Sequence, residues 1–171
     1  IADILIGAAG SNSAYLVWGK ASTSNVNLAD VRLGLGGLYI TGASSGALGR
    51  LSVTGGADLN RDGIADFVIG APGKSDGGAD GGAVYVIWGG RFTSGTVDLN
   101  LIAQGIGGAK IVGPADSLTG SAVSIVADAN GDGRLSAAEL QTQAPVLRAR
   151  VAQGFALHGV GSKGVEFLFI R

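Results

Sequence analysis

The sequence predicts an all-β fold. Three observations carry that expectation: a large excess of glycine, a low share of charged residues, and a unit of about 70 residues that recurs along the chain. Glycine supplies 32 of 171 residues while Asp, Glu, Lys and Arg together supply 15%. That composition suits short apolar strands joined by tight turns rather than long helices. A hydrophobic share of 46% is enough to build a core, which argues against disorder.

The repeat is read directly. IADILIGAAG at 1–10 returns as IADFVIGAPG at 64–73, an offset of 63, and AYLVWGK returns as VYVIWGG, with Trp18 matching Trp88 at an offset of 70. The difference is a seven-residue insertion in KSDGGADGG, a glycine-rich loop where added length costs little. The stretch from Val26 likewise resembles the stretch from Val97, and Asp58 matches Asp128. Segments 38–41, 50–54, 66–69 and 83–88 have strand character and are separated by Gly, Asn and Asp clusters. Four strands per unit is the arithmetic of a propeller blade. The apolar runs FVIG and VYVIW fit strands covered on both faces by neighbouring blades. A β-sandwich or solenoid with duplicated hairpins is the competing architecture. The repeat divides the chain into the end of a first blade at 1–20, a complete blade at 21–95, the start of a third repeat at 96–139, and an unmatched tail at 140–171.

Two loops have the oxygen spacing of a hard-cation site. In DLNRDGIAD, Asp58, Asn60, Asp62 and Asp66 occupy positions one, three, five and nine, Gly63 stands at the turn, and Ile64 can offer its backbone carbonyl. Carboxylates brought together at that spacing repel one another without a cation. The alternative is an Asx-rich turn whose side chains cap their own backbone. The second loop, DANGDGRLSAAEL, places Asp128, Asn130, Asp132, Arg134, Ser136 and Glu139 on the full twelve-residue EF-hand template. Both loops predict Ca2+ as the bound ion. After Gly133 the repeat is lost: SAAELQTQA has helix formers and an N-cap serine, and Pro145 limits such a helix to about two turns. Either the third repeat is diverted into a short EF-hand-like or dockerin-like helix, or the reading frame changes there. In the tail, only 165–170 reads as a strand.

With those residues in hand, the chain resembles the FG-GAP repeats of integrin α chains and their bacterial relatives over about residues 1–133. IGAPG at 69–73 is similar to the GAP element, LGRLSV at 48–53 to the FG element with Leu in place of Phe, and DLNRDGIAD to the family's calcium loop. The third unit departs from the pattern, with TGSAV at 119–123 and no GAP element after its cation loop. The first keeps Asp3 as its lone match to Asp66. The resemblance implies a β-propeller fragment of about two FG-GAP blades. It also implies an extracellular or cell-surface setting, with the remaining blades of the parent propeller and an extracellular protein or glycan ligand as partners.

Other function classes lose support on composition and context. A net charge of -1 with no basic block leaves nothing to neutralise phosphates, so no nucleic-acid partner is expected. No apolar stretch reaches membrane-spanning length. The lack of Met and the opening in mid-pattern suggest a processed or truncated piece, and the lack of Cys excludes disulfides, thiolate zinc sites and thiol catalysis. GAPGKS at 70–75 has the wrong spacing and no following helix for a phosphate-binding loop. The glycines at 159, 161 and 164 lead into an apolar run, not a helix, and His158, the only histidine, has no GxSxG partner. Trp18 and Trp88 recur as regular packing residues rather than as a stacking platform. The chain is therefore expected not to be an enzyme but to serve as a calcium-stabilised binding module. The alternatives are the non-catalytic propeller of a larger secreted hydrolase, or an EF-hand-type calcium-regulated domain.

Overall fold

A computed structural model of the chain describes residues 1–42 and 52–125. The chain divides into units Ile1–Ser124 and Ile125–Arg171, and the architecture below is that of the first. It is mostly β-sheet. The loop 128–139, the helix expected after it, His158 and the strand expected at 165–170 lie outside the described residues.

The first sheet is built from β1 (Ile4–Ala8), β2 (Ser13–Val17), β3 (Gly37–Thr41) and β7 (Gly95–Asp98), in that order. The second is built from β4 (Val53–Ala57), β5 (Asp66–Ala71), β6 (Ala83–Ile87) and β8 (Gly108–Val112). All pairs are antiparallel except β3–β7, which is parallel, with Ile40 opposite Val97. Sequence segment 21–95 thus gives β3 to the first sheet and β4, β5 and β6 to the second, while β7, which starts at its last residue and runs into 96–139, joins the first sheet. The two four-stranded sheets, with their repeated strands, are a β-propeller fragment of about two blades.

Two helical turns precede the equivalent strands β3 and β8: α1 (Leu28–Arg32) and α2 (Leu99–Ile102). Each is opened by an Asx N-cap, Asn27 Oδ1 accepting from the Ala29 N–H at 3.0 Å and Asp98 Oδ1 from the Asn100 N–H at 2.8 Å. They bury Val31, and Leu99 with Ile102, against the sheets. Of the strand expected over 50–54, residues 50 and 51 lie outside the described residues, and β4 runs from Val53 on to Ala57. Its glycines do not end it, because Gly55 and Ala57 flank a bulge that absorbs one extra residue.

Alternation sorts the side chains into faces. Leu5, Ala14, Leu16, Leu38 and Ile40 of the first sheet meet Phe67, Ile69, Ala83, Tyr85 and Ile87 of the second in one core, joined by Val97, Leu99 and Ile102. Fully burying such a side chain is worth about 1.5–3 kcal/mol. The far face of the first sheet carries Tyr15 and Val17 under Val31. On the far face of the second sheet, Val84 and Val86 are only half-buried. The strand expected to be covered on both faces is thus covered on one, whereas β5 is buried along its whole length. Among the described residues no helix is long and apolar enough to cross a membrane.

Candidate metal centre

The loop from Asp58 to Asp66 joins β4 to β5 and lies almost wholly at the surface. Its backbone is curled by its own acceptors. Asp58 takes the N–H of Asp62 on Oδ1 at 3.1 Å and that of Gly63 on Oδ2 at 2.8 Å. Asn60 Oδ1 accepts from the Asp62 N–H at 3.0 Å, and Asp62 Oδ1 accepts from the Ile64 N–H at 2.9 Å. The Asn60 amide donates to Asp62 Oδ2 at 2.8 Å. The chain reverses at Gly63, whose φ of +88° strains any residue with a Cβ.

Asp66 is different: it is 1% exposed and is the first residue of β5. Its Oδ2 accepts from the N–H groups of Leu59 and Asn60 at 2.6 and 3.3 Å, and its Oδ1 from the Gly89 N–H at 2.8 Å. One carboxylate therefore ties the start of the loop to the chain leaving β6. Charge-assisted bonds of this kind are stronger than neutral ones, which compensates for burying an acid. The first sheet repeats the device: Asp3 Oδ1 accepts from the Gly19 N–H at 2.8 Å. A Cβ at Gly19 or Gly89 would collide with the carbonyl of Ala2 or Ala65, so glycine is required where the clamp closes.

The four oxygen-bearing side chains and the Ile64 carbonyl thus belong to one loop, and an all-oxygen donor set suits a hard cation. Among the described residues no three His, Cys, Asp or Glu side chains are gathered into a ready-made metal cage. The carboxylates are turned onto backbone N–H groups, which do for the loop what a cation's positive charge would do.

Sequence reasoning missed the glycine half of the clamp. Its signal was present: an Asp ahead of each GA-containing strand and a Trp-Gly pair after the next strand, in both repeats. It also missed an ion cluster that joins the β5–β6 loop to β8. Asp76 bonds to Lys110 and lies 3.7 Å from Lys74, and the Lys110 ammonium sits 5.6 Å from the Tyr85 ring centroid. Hydrogen bonding to Lys110 holds the Asp76 carboxyl below its ordinary range, against a smaller opposing effect of burial. Burial, with Asp76 adding to it, pushes the Tyr85 phenol up to about 12. After Lys74 and Ser75 the chain forms turns rather than the helix of a phosphate-binding loop.

Residues 50–87 match the FG-GAP repeat family. The chain carries an FG-GAP repeat. The matched span takes in β4, the loop with Asp58 and Asp66, β5 and β6, so three strands of the second sheet and the whole candidate site fall inside it. The FG element expected at 48–53 lies partly outside the described residues, while IGAPG begins within β5 and continues past it. Neither the curated proteins nor the solved structures give a match to the chain.

Proposed function

We propose that this chain is a calcium-binding structural module of an extracellular, integrin-like propeller, used as a platform for recognising a protein or glycan. The observation that carries the reading is the loop 58–66. Asp58, Asn60 and Asp62 stand at alternate positions ahead of a glycine turn, and the loop sits within an FG-GAP repeat of a kind typical of extracellular domains. Asp58, Asn60, Asp62, Asp66 and the Ile64 carbonyl would hold the ion, and Asp128, Asn130, Asp132, Arg134, Ser136 and Glu139 supply a second loop of the same spacing. Bound calcium neutralises the carboxylates and adds its binding energy to folding. The role is architectural and non-catalytic.

Calorimetric titration of Ca2+ into the full chain tests this, alongside Asp62→Ala and Asp132→Ala variants whose melting is followed with and without the ion. Two sites are expected, each lost with its own variant and each raising the melting temperature when filled. No heat of binding and no shift in melting would overturn the metal reading.

A further inference from the structure

The insertion that sets the second repeat apart from the first has no part in the candidate metal centre. It lies in KSDGGADGG at 74–82, between β5 and β6, at the opposite end of β5 from the loop 58–66. Its base is closed by the Gly82 N–H, which donates to the Lys74 carbonyl at 2.6 Å. Its second half then offers four successive carbonyls to the chain leaving β8. Ala79 accepts from the Asp116 N–H at 2.8 Å, Asp80 from Leu118 at 2.8 Å, Gly81 from Thr119 at 3.0 Å and Gly82 from Gly113 at 3.0 Å. The Ser117 hydroxyl also donates to the Gly81 carbonyl, at 2.6 Å. Glycine is required where the two segments touch. A Cβ at Gly77 would stand 2.1 Å from the Gly113 oxygen, one at Gly78 2.7 Å from the Ala115 Cβ, and one at Gly82 2.2 Å from the Thr119 oxygen.

The segment held in this way is strained. Asp116 and Leu118 have φ of +60° and +49°, a region that residues with a Cβ seldom occupy and bulky ones least of all. Leu118 is 48% exposed, so burial of its side chain does not account for its backbone. What distinguishes both residues is that each aims its N–H at a carbonyl of the insertion. The insertion is in turn tied to the sheet by charge: Asp76, on its outer turn, bonds to Lys110 of β8 and lies 3.7 Å from Lys74.

We propose that the insertion is a strap that imposes one conformation on residues 113–119, and that the Asp76–Lys110 ion pair is its fastening. Seated, the strap satisfies the N–H groups of Gly113, Asp116, Leu118 and Thr119 and offsets the left-handed conformations of Asp116 and Leu118. Unseated, those two residues lose the bonds that hold them and relax to negative φ. The first repeat, which joins β1 to β2 through a single turn at Ala9–Ser11, lacks the strap.

Backbone hydrogen exchange of the full chain, read residue by residue by NMR, tests this, because local opening is what exposes such amides. Asp76→Asn and Lys110→Met, the latter keeping an apolar stem beside Tyr85, are each expected to speed exchange at Gly113, Asp116, Leu118 and Thr119 by about two- to fivefold. Gly78→Ala, which unseats the strap by collision and leaves the charges in place, should speed the same four amides more strongly. The Trp18 and Trp88 amides, bonded to the Gly36 and Gly107 carbonyls, should keep their rates in all three variants. Free-peptide exchange of the four amides in the unaltered chain, no change in the two charge variants, protection that survives Gly78→Ala, or equal acceleration at Trp18 and Trp88 would each overturn the proposal.

Discussion

Replacing Asp66 by Ala tests whether its carboxylate is a structural clamp in its own right. The side chain accepts three backbone N–H groups and is 1% exposed. The Leu59 and Asn60 donors share one oxygen and belong to exposed loop residues, so water can replace part of what they lose. The Gly89 bond and one of that pair then count in full, at about 1.5–3 kcal/mol for each bond to a charged acceptor, giving a loss of about 3–6 kcal/mol. Asp3→Ala removes one N–H bond at an exposed position, with an expected cost below ~1 kcal/mol. For a chain of this length the Asp66→Ala loss corresponds to a fall of roughly 6–24 °C in melting temperature. Denaturant unfolding in chelator, followed by the fluorescence of Trp18 and Trp88, gives both numbers, since each tryptophan directly precedes one clamp glycine. Chelator removes any calcium contribution, so the difference belongs to the protein's own bonds. If Asp66→Ala costs no more than Asp3→Ala in chelator, the clamp is not structural and the argument from its geometry fails.

Gly89→Ala places a methyl against the Ala65 carbonyl and should cost about 1–3 kcal/mol by the same unfolding assay. Tyr85 makes stability fall in alkali. Its phenol ionises near 10 in the unfolded chain and at about 12 when folded, so its contribution is intact below pH 10 and is lost as pH rises through about 12. The loss is on the order of 2–3 kcal/mol, visible as delayed tyrosinate absorbance and removed in Tyr85→Phe. Asp76 acts in the opposite sense. Its lowered carboxyl contributes stability above the ordinary carboxylate range and loses it as pH falls through the lowered value, and Lys110→Ala should return its NMR titration towards that range.

Much of the fold was legible because strand periodicity and repetition reinforce each other. IADFVIG and VYVIW align with IADILIG and AYLVW, and the strands fall where those runs do. Glycine was misleading at β4, where a bulge keeps Gly55 and Gly56 inside a strand that their composition would end. The helical turns α1 and α2 are too short to show a helical period, although their Asn27 and Asp98 caps follow familiar chemistry. The parallel transfer of β7 to the first sheet leaves no local trace, since a four-residue strand looks the same whichever sheet it joins. At the loop, the spacing of Asp58, Asn60 and Asp62 was plain, and the match of Asp3 to Asp66, each ahead of a Trp-Gly pair in its repeat, was the clue that Asp66 has backbone partners too.

The transfer of β7 also governs the order in which this chain can become structured during synthesis. Strands β1, β2 and β3 emerge first, yet the edge of β3 stays open until residues 95–98 have left the ribosome, after β4, β5 and β6. The early sheet therefore waits for a late strand, and that strand is delivered by the loop that closes the next hairpin. Folding cannot proceed as a simple N-to-C relay of finished blades. The β3–β7 pairing is a non-local closure of the kind that slows folding, and a nascent chain stalled before residue 95 presents Leu38 and Ile40 along an edge that β7 has yet to cover.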